Sequence, residues 1–294
     1  MIVLSGGTGT PKLLLGLKEL LAPSDLSIVV NTAEDLWISG NFVSPDVDTV
    51  LYTLAGIIDD SKWWGIKGDS FHTYEFLRTL GRHEILALGD KDRAAHIFRS
   101  EILRNGATLS DSTAVLAKAL GIKQKVLPMT DDPVSTFITT PEGEMHFQEF
   151  WVRNKGIPEV ISIRFQGIED AQPSPGFLEL LSKEETVIIG PSNPVTSIGP
   201  ILALHGVRDA LLGKKVIAIS PFVGNKPVSG PAARFMRARG VSTNDEGVAA
   251  MLGRIDTFVV DLMSGYPGKC NRLDTLMRNR GDSIRLAREV LELI

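Results

Sequence analysis

The densest chemistry in the chain sits near its start, in Ser5-Gly6-Gly7-Thr8-Gly9-Thr10-Pro11-Lys12. Gly6, Gly7 and Gly9 open backbone conformations closed to other residues and keep side chains away from a ligand. Thr10 suits a helix N-cap and Pro11 the first helical position, so a helix is predicted from Pro11 to about Leu21. Bare amides and the positive end of that helix favour an anion, usually phosphate, and Lys12 would add a point charge. The loop lacks the Gly-Lys-Ser/Thr ending of a P-loop, and Lys12 stands where a dinucleotide fingerprint has its third glycine. The alternative use of such a loop is a tight strand-to-helix turn, as found in any α/β protein.

Acids come next. Asn31, Glu34 and Asp35 follow a second apolar run, and Asp46 and Asp48 fall in or beside the first turn of a helix opened by Ser44 and Pro45. Acids there complement a helix dipole. Beside a phosphate loop they would equally suit magnesium, which takes few protein oxygens together with substrate phosphates. Two later loops are also polar and glycine-containing: Gly190–Pro200, with Ser192, Asn193 and Thr196, and Ser220–Pro231, with Gly224 and Asn225. Adjacent Trp63 and Trp64 cannot share one helical face, so one of them either edges a pocket or is simply part-exposed. Asp90 reads as an N-cap for a helix from about Lys91 to Arg104, with a substrate contact as the sharper alternative. The five histidines (His72, His83, His96, His146, His205) form no metal-ligand spacing, and no nucleophile–base signature stands out.

The elements that must carry these residues alternate. Ile2–Leu4, Leu26–Val30, Thr186–Ile189, Val216–Ile219 and Thr257–Leu262 are short apolar runs without polar alternation, the mark of parallel strands buried on both faces. Helices are predicted over Pro45 to Ile58, Phe71 to Leu80, Lys91 to Arg104, Ser110 to Leu120 and Asp282 to Ile294. Between Lys123 and Glu185 the texture changes to consecutive β-branched or aromatic runs expected as strands, Val126–Met129, Val134–Thr140, Met145–Val152 and Glu159–Phe165, with a turn at Pro141-Glu142-Gly143-Glu144. The expectation is a Rossmann-like α/β fold: a mostly parallel sheet with helices on both faces, formed by residues 1–122 and 186–294, with a small antiparallel insert at 123–185. In such a sheet the three glycine-containing loops at strand ends converge on one edge, where ligands bind.

Composition sets limits. A 294-residue chain with 43% apolar and 22% charged residues has the makings of a full globular core. A formal net charge of -4 argues against a general nucleic-acid binder. The single cysteine, Cys270, leaves no intrachain disulfide and fits a reducing compartment. No basic n-region precedes the short Ile2–Leu4 run and no apolar stretch reaches membrane-spanning length, so a soluble, cytoplasmic protein is expected.

Taken together, several blocks resemble 2-phospho-L-lactate transferase: Ser5 to Leu13, Asn31 to Trp37, Ser44 to Val50, Trp63-Trp64-Gly65-Ile66, Asp131 to Thr136, Gly190 to Pro194 and Pro227 to Pro231. The resemblance covers most of the chain to about residue 250. That family serves the biosynthesis of coenzyme F(420), a deazaflavin hydride carrier of methanogens and some other microbes. The resemblance implies transfer of 2-phospholactate, or phosphoenolpyruvate in some members, from a guanosine-diphosphate-linked donor to the ribityl hydroxyl of 7,8-didemethyl-8-hydroxy-5-deazariboflavin, with release of GMP. It also implies magnesium and a homodimer. On this basis the donor diphosphate is expected on Gly6, Gly7, Thr8, Gly9, Thr10 and Lys12, helped by Ser192, Asn193, Thr196, Gly224 and Asn225. Asp48 is the expected catalytic residue, orienting the hydroxyl or holding the metal, with Asp46 and Asp60 as further metal ligands. Lys91, Asp90, Trp63 and Trp64 are expected at the deazaflavin.

Two other readings compete. A nearby branch of the same superfamily consists of nucleotide-sugar-binding regulators with a similar glycine loop; the acidic and aromatic blocks at Asn31–Asp48 and Trp63-Trp64 match the transferase instead. A nicotinamide dehydrogenase would need a glycine in place of Lys12 and an acid in place of Asn31.

Overall fold

A computed structural model describes residues 1–224, 226–228 and 230–294. The apolar runs pair into one seven-stranded parallel sheet. Its spatial order is Asn271–Leu273, Thr257–Asp261, Lys215–Ile219, Thr186–Ile189, Ile2–Ser5, Ser27–Val30, Lys125–Pro128. Numbered along the chain, the sheet strands run 3-2-1-4-5-6-7, the doubly wound order with one strand added. Winding reverses between Ile2–Ser5 and Thr186–Ile189, where Leu4 pairs with Val29 on one side and Ile189 on the other. Alternate residues of each strand feed two cores: Ile2, Leu4 and Val29 face one, Val3, Ile28 and Val30 the other. Loops leaving the two strands at the reversal cannot cover one another, and a crevice opens there.

Two helices, Gly9–Leu20 and Arg280–Leu291, bury their apolar faces in the second of these cores. The Gly9–Leu20 helix lies against Arg280–Leu291 so closely that a Cβ on Gly16 would overlap the Ser283 carbonyl. The closing helix therefore braces the helix that the glycine loop feeds. No helix is long and apolar enough to cross a membrane.

Several elements differ from the sequence expectation. Lys125–Pro128 is the edge strand of the parallel sheet rather than the first strand of the insert. A four-residue apolar strand carries no mark of parallel or antiparallel pairing; its place is decided by the helices Asp90–Arg104 and Leu109–Ala119, which return the chain beside Ser27–Val30. The antiparallel sheet that follows has three strands, with Ser135–Thr140 between Gly143–His146 and Ser162–Gln166. The run expected as a strand over Met145–Val152 ends at His146, and Glu149–Arg153 forms a π-helical turn. Phe147 and Phe150, three residues apart, both reach the core from this segment, which helical spacing allows and a strand does not. The acidic loop also contains a hairpin, Leu36–Ile38 with Asn41–Val43, closed by Ser39 and Gly40 at positive φ.

Candidate functional site

At the sheet reversal the glycine loop does what its composition predicts, two residues earlier than expected: the helix starts at Gly9 and Thr8 is the N-cap. A Cβ on Gly9 would overlap the carbonyl of Pro191, so only glycine lets the two strand-end loops meet. Gly7 has a φ of +58°, the left-handed region. Thr10 is fully buried and faces the neighbouring loop: its amide donates to Ser192 Oγ at 3.2 Å, and the two hydroxyls lie 2.7 Å apart. Ser192 Oγ in turn donates to the Gly6 carbonyl. Thr10 and Gly6 therefore hold the loops together, and Gly7, Thr8, Gly9 and Lys12 line the crevice.

That crevice is a cavity of about 420 Å³. Ser192, Asn193 and Thr196 border it, along with Asp46, Trp63 and Trp64. Gly224 is not among its walls; the Gly224 amide donates to Asp261 Oδ1 at 3.2 Å, and Val228 and Gly230 supply that side instead. Asn225 lies outside the described residues. Lys12 is half-buried, which lowers its ammonium pKa, and its Nζ sits 5.0 Å over the Trp63 ring. Two buried carboxyls face the same cavity, Glu34 and Asp46. Asp46 accepts from Asn31 Nδ2 at 2.9 Å. Burial raises Asp46 to about 6, with the Asn31 and Gly7 donors opposing the shift. Burial also lifts Glu34 well above the usual carboxylate range, and repulsion from Asp46 and Asp35 adds to it.

A second cavity of about 310 Å³ adjoins the first. Its walls are largely apolar (Val43, Leu86, Leu88, Trp64, Trp151, Val152) and its polar floor is Asp48, Asp92, Tyr52 and His96. The floor comes from two facing helices. Asp48 and Tyr52 are four apart on Pro45–Ala55; Asp92, His96 and Arg99 recur at helical spacing on Asp90–Arg104. His96 Nε2 lies 3.0 Å from Asp48 Oδ2 and 3.1 Å from Asp92 Oδ1. Tyr52 Oη donates to Asp92 at 2.8 Å, and both terminal nitrogens of Arg99 donate to Asp48, one at 3.0 Å. Burial alone would raise Asp48, but Arg99 and His96 more than offset it and hold its carboxyl well below the usual range. Burial works against the charged imidazole, yet the two carboxylates raise His96 to about 9, so it is an imidazolium at neutral pH.

The remaining expected site residues lie apart from both cavities. Asp60 is 60% exposed and paired with Lys67 at 3.0 Å. Asp90 is the first residue of its helix, and its carboxylate accepts from the His72 and Thr73 amides at 3.0 and 2.9 Å, capping the preceding helix. Asp69 returns the favour, accepting from the Lys91 and Asp92 amides. Lys91 is exposed beside this double cap, and neither Lys91 nor Asp90 lines a cavity. Among the described residues the one convergent set of possible metal ligands is Asp48, Asp92 and His96.

The family model described as 2-phospho-L-lactate transferase CofD matches residues 1–272. The chain belongs to the 2-phospho-L-lactate transferase family. By that membership it is a transferase. Its relatives include the 2-phospho-L-lactate transferases of Methanosarcina mazei, 52% identical over 301 residues and 99% of both chains, and of Methanopyrus kandleri, 49% identical over 305 residues, 100% of this chain and 97% of that one. A UPF0052-family protein from Bacillus halodurans shares the fold, with a TM-score of 0.63 at 16% identity over 99% of this chain and 97% of its own.

In this transferase the glycine-loop residues were legible in the sequence, and much of the second cavity was not. Asp92, His96 and Arg99 are polar residues at the spacing of a core-facing stripe, with Asp48 and Tyr52 facing them from another helix; that double pattern is the signal that would have found them. Gln148 and Trp151, which border both cavities, carry no such signal.

Proposed function

We propose that this transferase moves the 2-phospholactate or phosphoenolpyruvate group from a guanosine-diphosphate-linked donor to the ribityl hydroxyl of the deazaflavin, releasing GMP. The observation that carries this reading is the pair of unlike chambers sharing a wall. One is lined by backbone amides, hydroxyls and Lys12, chemistry for a diphosphate; the other is an apolar slot with a charged floor, chemistry for a planar ring with a polar tail. Pro45, Thr49, Trp64, Gln148 and Trp151 border both.

In this reaction the ribityl oxygen bonds to the phosphorus that carries the three-carbon acid, the bond from that phosphorus to the GMP oxygen breaks with its electron pair leaving on GMP, and the hydroxyl proton passes to water or to the departing GMP phosphate. A loose phosphoryl-transfer transition state asks mainly for in-line positioning and charge neutralisation, so no covalent nucleophile is required. The glycine-loop amides and Lys12 hold the donor. Asp48 orients the hydroxyl: two of its lone-pair sites are taken by Arg99 and one by His96, and a fourth is left to accept. It stays ionised and engaged, which suits orientation better than proton abstraction.

Magnesium fits the donor chamber. Glu34 and Asp46 are buried, repel one another and face the phosphate loop, so a divalent cation shared with phosphate oxygens would relieve that repulsion. The Asp48–Asp92–His96 set suits it less, because an imidazolium and Arg99 already neutralise those acids. When bound, the ion supplies charge neutralisation at the diphosphate. Trp64 walls the slot itself, and Lys91, exposed and outside both chambers, is at most an outer contact of the deazaflavin. The assembly is a cytoplasmic homodimer.

The test supplies purified protein with the deazaflavin and either the lactyl or the enolpyruvyl donor, and follows GMP release and the phosphorylated deazaflavin by mass spectrometry. Product that appears with magnesium and stops on chelation supports the reading; neither donor giving product would refute it. A nucleotide-sugar-binding regulator has no use for the second chamber, so binding of a uridine-diphosphate sugar without deazaflavin binding would favour that alternative.

A further inference from the structure

If donor and acceptor occupy separate chambers, the reacting oxygen and phosphorus must meet at the wall the chambers share. Only five residues border both: Pro45, Thr49, Trp64, Gln148 and Trp151. Proline offers no donor, and the Thr49 hydroxyl is committed to the Pro45 carbonyl at 2.8 Å. Trp64 and Trp151 are 44% and 39% exposed and present mainly apolar faces. Gln148 differs from the other four. It is only 5% exposed, its side-chain amide bonds to no described residue, and the amide atoms reach the cavity surface. Its backbone is held, the amide donating to His146 Nδ1 at 3.2 Å, between the buried rings of Phe147 and Phe150.

A primary amide that opens onto a cavity without a protein partner is free to bond whatever enters there. Its two halves match what meets at the wall: the carbonyl accepts from a hydroxyl, and the N–H groups donate to a phosphoryl oxygen.

We infer that Gln148 is a catalytic residue of the transfer, its side-chain amide bridging the attacking ribityl hydroxyl and a non-bridging oxygen of the phosphoryl group at the junction of the two chambers. This rests on the two-substrate reading above. The amide is delivered by the insert, on the turn that leads into Glu149–Arg153, so the insert contributes to the chemistry itself as well as to the walls. Because the bridge needs both partners present, it acts in the transition state more than in either binary complex.

The experiment compares wild type with Gln148→Leu, similar in volume and without the amide, and with Gln148→Asn, which keeps the amide one methylene shorter. GDP binding is read by calorimetry, deazaflavin binding by its own fluorescence, and turnover under saturation. For Gln148→Leu a fall in kcat of about 10²–10³-fold is expected, with both dissociation constants within about threefold of wild type, the signature of a lost transition-state donor. Gln148→Asn should fall between the two, which also serves should the leucine variant not fold. A kcat within about threefold of wild type in either folded variant, or a loss confined to KM, would overturn the assignment. Failure of wild type to bind deazaflavin or turn over would instead refute the transferase reading, so the two failures are told apart.

Discussion

The two chambers are built on opposite principles. The first chamber, proposed for the donor, is made of backbone: glycines that permit close approach, amides at a helix N-terminus, and hydroxyls that tie one strand-end loop to the next. Of its charged groups Lys62 pairs with Asp59, while Lys12, Glu34 and Asp46 are left without opposite-charge partners among the described residues. The second chamber, proposed for the acceptor, is made of side chains, and its charges are already spent on one another and on the residue beneath: Arg99 on Asp48, His96 between Asp48 and Asp92. One region is poised for an anionic, exchangeable ligand; the other is a rigid floor under an apolar slot. Charge left unpaired marks where charge will bind, and charge fully paired marks where geometry is being held.

Breaking the paired floor is expected to have the largest effect on stability. Arg99→Met leaves the Asp48 carboxylate buried beside His96 alone, and a loss of about 3–5 kcal/mol is expected in denaturant unfolding. If the melt is unchanged, the floor is not a structural unit.

His96 gives the pH counterpart. Its folded pKa is raised above the unfolded value, so its stabilisation is fully present below about pH 6.5 and is lost as pH rises through about 9. The sum over that window is on the order of 3 kcal/mol. Thermal melts of wild type should fall between pH 6.5 and 9, and those of His96→Gln should lose that slope. Glu34 and Asp46 act with the same sign in a lower window: their raised pKa values make stability decline as pH climbs from about 4 towards Asp46's value of about 6.

In the donor chamber the expected losses are functional before they are structural. Gly9→Ala pushes the glycine loop off Pro191, and overpacking of this kind costs about 1–3 kcal/mol. GDP affinity, measured by calorimetry, should drop more than tenfold while deazaflavin binding changes little. Equal losses of both ligands would dissolve the distinction between the chambers. The smallest effect is expected from Lys91→Ala, since Lys91 is exposed and borders neither chamber. The deazaflavin KM should rise by less than about tenfold, with kcat unchanged, as for loss of one exposed contact.

How much of this was legible in the sequence follows the same division. Backbone sites write themselves in glycine, proline and hydroxyl residues at fixed spacing, so the loop at Gly6–Lys12 and its partner at Ser192–Thr196 could be placed on one sheet edge before any coordinates. Apolar runs without alternation announced the parallel sheet for the same local reason. Side-chain floors assembled from distant helices leave a fainter trace. His96 looks like an isolated histidine until Pro45–Ala55 is laid against Asp90–Arg104, and Asp48 looks like a free acid until Arg99 is set beside it. Asp60 and Asp90 were drawn in by proximity in sequence; the fold spends one on a surface ion pair and the other on a helix cap. Lys125–Pro128 changed sheets because its neighbours are chosen by the crossover helices and not by its own four residues.

The most direct test of the central claim, that two substrates lie side by side in unlike chambers, is a deazaflavin fluorescence titration with and without saturating GDP and magnesium. Saturable deazaflavin binding that persists with GDP bound is the expected result. Displacement of the deazaflavin by GDP, or no deazaflavin binding at all, would contradict the account.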